Sequence, residues 1–154
     1  MTTKIFSQVH VSRTGEVARL PVFGVEVEVL LDGAVSGGES AVYRVWAEPG
    51  RGAPLHRHGA QDEMFHVLEG EFDVVCGETT HRLRRHDFAF APRGMAHAFT
   101  SVGPGPGGLL VFSTPAGHEA FFRDCAAAMA DGTFGPEVGA EICRCHGIEL
   151  LATT

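Results

Sequence analysis

Short alternating runs of apolar and polar residues constrain the fold of this chain more than any other feature of its sequence. Eight such runs occur, at residues 25–31, 40–47, 64–70, 71–77, 80–84, 87–92, 97–102 and 108–114. Alternation over four to eight residues is typical of a half-buried β-strand. The 20 glycines and 8 prolines lie largely between the runs, where they favour turns. Many short strands separated by turns indicate an all-β sandwich or barrel of antiparallel strands.

Two glycine turns indicate how three of these strands pair. Gly70 and Gly77 each lie between two alternating runs, as in a β-hairpin. We therefore predict that the strands between residues 64 and 84 form an antiparallel meander.

The pattern changes after Pro115. Residues 118–130 contain no glycine or proline and are rich in alanine, which favours an α-helix, and a second helix is predicted at 136–147. We expect one domain, with a β-barrel and its N-terminal strands at 1–115 and a helical extension at 116–154. The first helix could cover a mouth of the barrel or shield an outer sheet face, and the second arrangement is favoured.

The charge and composition of the chain exclude several kinds of partner. There are 19 acidic residues against 12 Lys and Arg and no basic run, so we expect no nucleic acid partner. No apolar stretch approaches the roughly 20 residues of a membrane-spanning helix, and the N terminus has no apolar signal core. We therefore expect a cytoplasmic protein with no membrane partner and with reduced cysteines. A chain of this length can fold without a metal ion, so a bound metal is expected to be functional.

Four residues carry side chains that suit a metal site. His56 and His58 are two positions apart, so both imidazoles point to the same side of an extended strand. A turn can bring the carboxylate of Glu63 back to the same point, and His97 begins another strand after a Pro-Gly turn. Three imidazoles and one carboxylate suit one divalent transition metal, such as Fe, Mn, Ni, Cu or Zn. The remaining histidines are interpreted as structural or solvated: His10, His66, His81, His86, His118 and His146.

The first half of this pattern resembles the first motif of the cupin family, G(X)5HXH(X)3-4E(X)6G. Gly50, His56, His58, Glu63 and Gly70 fill every fixed position at the required spacing. Five fixed positions at fixed spacing rarely coincide by chance, so the resemblance is specific.

The second cupin motif, G(X)5PXG(X)2H(X)3N, aligns fifteen residues further along the chain. Pro92, Gly94 and His97 match it, whereas His86 stands where glycine is usual and Ser101 stands where asparagine is usual. Both departures lie outside the metal ligands and bear only on local turn geometry and one hydrogen bond.

The resemblance covers about residues 40–115 and implies a cupin jelly-roll barrel. It also implies that four residues bind the metal, namely His56, His58, Glu63 and His97. With its tail, the chain looks like a small single-domain quercetinase-like cupin. This implies a dioxygenase acting on a flavonol-like or other enolic or phenolic small molecule, in which the metal binds the substrate and Glu63 is both ligand and general base.

Strand parity predicts the wall of the substrate cavity. If the metal ligands point inward, Phe65 and Val67 follow Glu63 on the same face and Phe99 follows His97. The residues expected to contact substrate are Phe65, Val67, Phe72, Val74, Phe99 and Phe112. This wall suits an apolar or aromatic small molecule rather than a sugar phosphate.

The sequence leaves two classes of function open. In the first, the metal orients an enol or phenol beside O2. In the second, it polarises a carbonyl without O2, in an isomerase, a cyclase or a small-molecule-binding cupin of secondary metabolism. A storage or sensor cupin without catalysis is a third interpretation, which the complete ligand set disfavours. A homodimer is expected, because cupins often pair through outer sheet faces and the N-terminal segment.

Overall fold

A computed structural model describes residues 9–152 of the protein. Within this range the strands are β1 (Arg19–Val22), β2 (Val25–Leu31), β3 (Ala41–Ala47), β4 (Gly52–His58), β5 (Asp62–Glu69), β6 (Glu71–Cys76), β7 (Thr79–Arg84), β8 (Phe88–Ala91), β9 (His97–Ser101), β10 (Gly107–Thr114) and β11 (Ile148–Leu150). The helices are α1 (Gly33–Ser36), α2 (His118–Ala130) and α3 (Pro136–Cys145). None of these three helices combines the length and the apolar character needed to cross a membrane.

The strands form two antiparallel sheets around one core. One sheet has the strand order β1-β2-β3-β10-β5-β8, and the other has the order β11-β4-β9-β6-β7. Each alternating run of the sequence corresponds to one strand, and no strand end differs from its run by more than two residues. Because alternate side chains of a strand lie on opposite faces, the apolar positions of both sheets meet inside. The predicted all-β jelly-roll architecture with a short C-terminal helical extension is confirmed.

Large apolar side chains from both sheets fill the core. Tyr43, Phe65, Phe72 and Leu109 are at most 1% exposed. Burying one such side chain contributes about 1.5–3 kcal/mol to folding. This burial agrees with the sizeable core expected of a chain of this length.

The predicted meander is wrong for its first strand. β6 pairs with β7 as a hairpin, but β5 pairs with β10 and β8 in the other sheet. The chain changes sheets at Gly70, which has a φ of +76° and whose added Cβ would lie 2.9 Å from the Cα of Gly107. The inward faces of β5 and β6 are both apolar, so they pack against each other across the core instead of pairing edge to edge.

The C-terminal segment adds two helices and a strand. The observed bounds of α2 are those predicted, and α3 ends two residues before the predicted end. Gly147 then turns the chain with a φ of +66°, and β11 pairs with β4. This short final strand was not predicted from the sequence.

Helix α2 covers a mouth of the barrel. The ring of Phe122 packs edge-on against the inward-facing Tyr43 of β3, with ring centroids 5.0 Å apart. Phe121 and Cys125 on the same helix pack with Val22 of β1 in a second apolar cluster. Because α2 contacts interior side chains, the favoured expectation that it shields an outer sheet face is wrong.

Candidate metal centre

Three strands bring the four predicted metal ligands together. His56 and His58 lie at the end of β4, and His97 begins β9 directly opposite His56 in the antiparallel register. Glu63 lies near the start of β5 in the facing sheet. All four side chains point inward and are at most 7% exposed. The two sheets of the barrel therefore each contribute to one polar cluster in an otherwise apolar interior.

The donor atoms of these residues converge on one point. The Nε2 atoms of His56 and His58 are 3.1 Å apart. The Oε2 atom of Glu63 lies 2.8 Å from Nε2 of His97 and 3.3 Å from Nε2 of His58. One potential ligand atom from each of the four residues lies within 4.8 Å of all the others.

Hydrogen bonds to the backbone fix two of the imidazoles in a form that suits a metal. Nδ1 of His56 donates to the carbonyl oxygen of Pro54 at 2.7 Å, and Nδ1 of His97 donates to that of Met95 at 3.0 Å. A neutral imidazole has one donor and one acceptor nitrogen, so Nε2 of His56 carries a lone pair, whereas Nε2 of His97 shares a proton with Glu63 that a metal would displace. Lone pairs and a carboxylate that meet at one point repel unless a proton or a metal cation lies between them. The donor set therefore fits a divalent metal with mixed nitrogen and oxygen ligands.

The electrostatics of the cluster favour a neutral His56 and an ionised Glu63. Burial is the main cause that lowers the pKa of His56 to about 4, and the neighbouring His97 lowers it further. Burial acts to raise the pKa of Glu63, but hydrogen bonds from His58 and His97 outweigh it and hold that pKa well below its usual range. Burial likewise opposes charge on His97, but its hydrogen bond to Glu63 raises its pKa. A carboxylate and a neutral His56 are thus the stable forms near neutral pH.

Tyr43 holds the second oxygen of the carboxylate. Its hydroxyl donates a hydrogen bond of 2.5 Å to Oε1 of Glu63. Burial and the nearby Glu63 charge raise the pKa of Tyr43 well above its usual range, so the hydroxyl remains a donor. Glu63 is oriented through one oxygen while the other faces the histidines, as expected for a ligand with a supporting hydrogen bond.

A fifth histidine lies beside the cluster. His118, the first residue of α2, is 6% exposed, and its Nε2 lies 3.9 Å from Oε1 of Glu63. Burial is the main cause that lowers its pKa to about 3. The sequence analysis interpreted His118 as an ordinary structural or solvated residue and did not identify its place beside the metal-binding cluster. The signal was its helical spacing to Phe121, Phe122 and Cys125, which places it on the apolar face of α2.

An apolar cavity of about 410 Å³ leads from the cluster to the surface. His56, Glu63 and His118 form its polar part. Strands of the barrel supply one wall, and Phe121 and Phe122 of α2 lie in the opposite wall. This volume falls within the range of small-molecule sites.

The predicted cavity wall is only partly observed. Phe65 and Phe99 line the cavity, whereas Val67, Phe72 and Val74 do not line it and lie in the core with no exposed surface. These last three share the predicted inward face but lie deeper in the barrel.

Phe112 lies on the opposite face of its strand from the face predicted. On β10 the buried residues are Val111 and Ser113, so Phe112 lies between them on the outer face and pairs with Val42 and Met64. Val111 lines the cavity in its place. Phe112 therefore does not line this cavity, because the small polar Ser113 takes the inward position.

The two departures from the second motif leave the site geometry intact. His86 has a φ of +76°, the left-handed conformation that glycine adopts most easily, so the turn is kept by a residue type that tolerates it. Ser101 is fully buried and its hydroxyl has no hydrogen-bond partner among residues 9–152.

Comparisons with known proteins agree with this fold. Residues 43–113 match the family model described as "Cupin domain". An uncharacterised protein of Streptomyces coelicolor is 34% identical over 56 residues, which are 36% of this chain and 53% of that protein. The chain thus spans about half the length of the curated relative it matches.

Three solved structures show the same architecture. KdgF from Halomonas sp. has a TM-score of 0.65 at 18% identity, covering 71% of this chain and 98% of that chain. A predicted oxalate decarboxylase from Thermotoga maritima has a TM-score of 0.65 at 20% identity, covering 68% and 98%. The polyketide cyclase RemF from Streptomyces resistomycificus has a TM-score of 0.60 at 18% identity, covering 70% and 80%. At these identities the likeness shows the fold alone.

Proposed function

We propose that this chain, which carries a cupin domain, is a metal-dependent dioxygenase acting on a flavonol-like or other enolic or phenolic small molecule. The observation that carries the proposal is that two of the four clustered donor residues, His56 and Glu63, line an apolar cavity. A donor set with open positions in a water-poor cavity can bind both an oxygen of an aromatic ligand and a second small molecule such as O2.

Different side chains of the site would bind the metal, accept a proton and pack against the ligand. His56, His58, Glu63 and His97 would hold the metal, which supplies a Lewis acid that makes a bound hydroxyl more acidic. The carboxylate of Glu63 lines the cavity, where it would accept the proton that an enol or phenol releases at the metal. Phe65 and Phe99 pack against the apolar part of the ligand and keep water from the reacting atoms.

Oxygen consumption tests the redox part of this proposal. The protein is loaded separately with Fe(II), Mn(II) or Ni(II) and mixed with a panel of flavonols and 1,3-dicarbonyl compounds. We expect O2 uptake with at least one combination and none with Glu63→Gln, which keeps the size of the side chain but removes the carboxylate. Ligand binding without O2 uptake for every metal would refute the dioxygenase activity.

A non-redox isomerase or cyclase is the second candidate. The similarity to a structure described as a polyketide cyclase favours it, because such a cyclisation needs a polarised carbonyl rather than O2. The same cavity and donor set would serve that reaction with Zn(II). Conversion of a 1,3-dicarbonyl compound without O2 uptake would distinguish this candidate from the dioxygenase.

We also propose that the protein is a cytoplasmic homodimer. All four cysteines are free thiols, which suits a reducing compartment. On edge strand β8, Phe88 and Phe90 are 56% and 52% exposed, and an outer sheet face with such side chains suits contact with a second copy. Light scattering during size-exclusion chromatography should give twice the 16.4 kDa chain mass, and a monomer would contradict the dimer.

A further inference from the structure

His118 is a buried polar side chain that no protein group satisfies. It is 6% exposed and lines the cavity. Within residues 9–152, neither of its ring nitrogens makes a hydrogen bond, and its nearest charged atom, Oε1 of Glu63, is 3.9 Å from Nε2. That distance exceeds the 2.7–3.2 Å range of a hydrogen bond. Buried polar groups are normally paired, so an unpaired imidazole at a cavity wall indicates a partner outside the protein.

Aromatic rings hold the imidazole in one orientation. The ring of Phe121 stacks on it with centroids 5.4 Å apart and an interplanar angle of 11°. Phe122 packs edge-on at 4.6 Å, and Tyr43 lies 5.9 Å away. The imidazole of His58 also packs edge-on, with ring centroids 4.3 Å apart. These contacts fix the ring plane of His118, and none of them is a hydrogen bond to either nitrogen.

The start of α2 is anchored so that His118 cannot move away easily. The adjacent Glu119 is 4% exposed and accepts hydrogen bonds of 2.8 Å from the backbone N–H of Gly33 and of Gly117. Arg123, one turn further along the helix, pairs with Asp32. Two independent contacts thus tie the first turn of α2 to the segment between β2 and β3.

We propose that His118 is a ligand-binding residue whose imidazole hydrogen-bonds a second oxygen of the small molecule, next to the oxygen held at the metal centre. The ligand class is therefore an aromatic compound with two neighbouring oxygens, such as a vicinal diol or a hydroxyl beside a carbonyl. A neutral imidazole serves either, since it can donate to a carbonyl or accept from a hydroxyl. The inference rests on the proposed function only in that the first oxygen binds at the metal.

Two probes that differ by one hydroxyl test this role. The full chain is loaded with Zn(II), and binding of 2,3-dihydroxynaphthalene and of 2-naphthol is measured by calorimetry under nitrogen. We expect His118→Phe to weaken binding of the diol about fivefold to tenfold, the effect of one lost hydrogen bond, and to change binding of 2-naphthol less than twofold. His118→Gln, which keeps a donor and an acceptor, should retain most of the affinity for the diol.

The metal content and the thermal stability of each protein sample are measured alongside its titration. Elemental analysis should give the same zinc content for the wild type and both variants, which separates contact with the ligand from metal binding. Equal losses for both probes, an unchanged diol affinity in His118→Phe, a wild type that does not bind the diol, or loss of zinc with either variant would overturn the proposal. Because Zn(II) under nitrogen supports no O2 chemistry, failure of the dioxygenase proposal would leave this result unaffected.

Discussion

Tyr43→Phe isolates the hydrogen bond that orients the carboxylate of the metal centre. Tyr43 is 1% exposed, and its hydroxyl donates to Oε1 of Glu63 at 2.5 Å. Phenylalanine removes one oxygen atom and keeps the ring, so the edge-on contact with Phe122 is preserved. Oε1 has no other hydrogen-bond donor within residues 9–152, since His118 lies 3.9 Å away.

The expected cost follows from the charge and burial of Glu63. A hydrogen bond to a charged group contributes about 1.5–3 kcal/mol, and here its loss leaves a buried carboxylate oxygen without a donor. We therefore expect the free energy of unfolding of the metal-free protein to fall by about 2–3 kcal/mol, measured by urea denaturation at pH 7 after treatment with EDTA. Affinity for Zn(II) should also fall about tenfold or more, because supporting hydrogen bonds orient metal ligands.

Ser101→Ala is the matched control. It also removes one buried hydroxyl from the barrel interior, but that hydroxyl has no hydrogen-bond partner among residues 9–152. Its removal should change the free energy of unfolding by less than about 0.5 kcal/mol. If Tyr43→Phe costs no more than this control, the hydrogen bond does not stabilise the carboxylate and the reasoning is wrong.

Three further predictions concern metal binding, acid stability and the anchoring of α2. Elemental analysis of the wild-type protein should find about one equivalent of a divalent first-row metal, and His58→Ala should contain much less. Full retention of the metal in His58→Ala would contradict the ligand assignment. In the metal-free protein, the folded-state pKa is about 4 for His56 and about 3 for His118, whereas the unfolded-state pKa of histidine is 6.5. The unfolded chain therefore binds more protons than the folded protein at pH values between these limits. The free energy of unfolding should therefore fall as the pH drops from 7 to 4, by at most about 1.4 kcal/mol per pH unit for each group, although the raised pKa of His97 opposes this. Urea titrations at several pH values check the sign, and a flat profile would contradict it. Gly33→Ala would place a Cβ 2.7 Å from the Cβ of Ala116 and 2.7 Å from Oε1 of Glu119 on α2. It should lower the free energy of unfolding by about 1–3 kcal/mol. A neutral effect in thermal denaturation would show that α2 shifts freely.

The cluster of four residues that could hold a metal ion was predictable because its members lie on short local patterns. The two-residue spacing of His56 and His58 fixes their common direction on any strand, and the motif spacing adds Glu63 and His97. Alternation likewise located the strands, since it reports which face of each strand is buried.

Strand order and phase could not be predicted to the same extent. A glycine turn such as that at Gly70 fits both a hairpin and a crossing between sheets, and only packing of distant segments decides between them. The phase of β10 depends on whether Ser113 or Phe112 faces inward, and hydrophobicity favours the wrong one. Both errors arise because pairing is decided by contacts between residues far apart in sequence.

The C-terminal extension supplies part of the cavity wall from outside the segment that matches the family. The segment that matches the family, residues 43–113, contains every proposed metal ligand and most of the inward side chains of the barrel. His118 and the phenylalanines that close the cavity lie on α2, beyond that segment, and β11 completes the edge of ligand strand β4. The ligand set limits which chemistry is possible, while the size and polarity of the closed cavity limit which molecule reaches it. Under the proposed function, the side chains of α2 that line the cavity should therefore contribute, together with the barrel wall, to the choice of substrate.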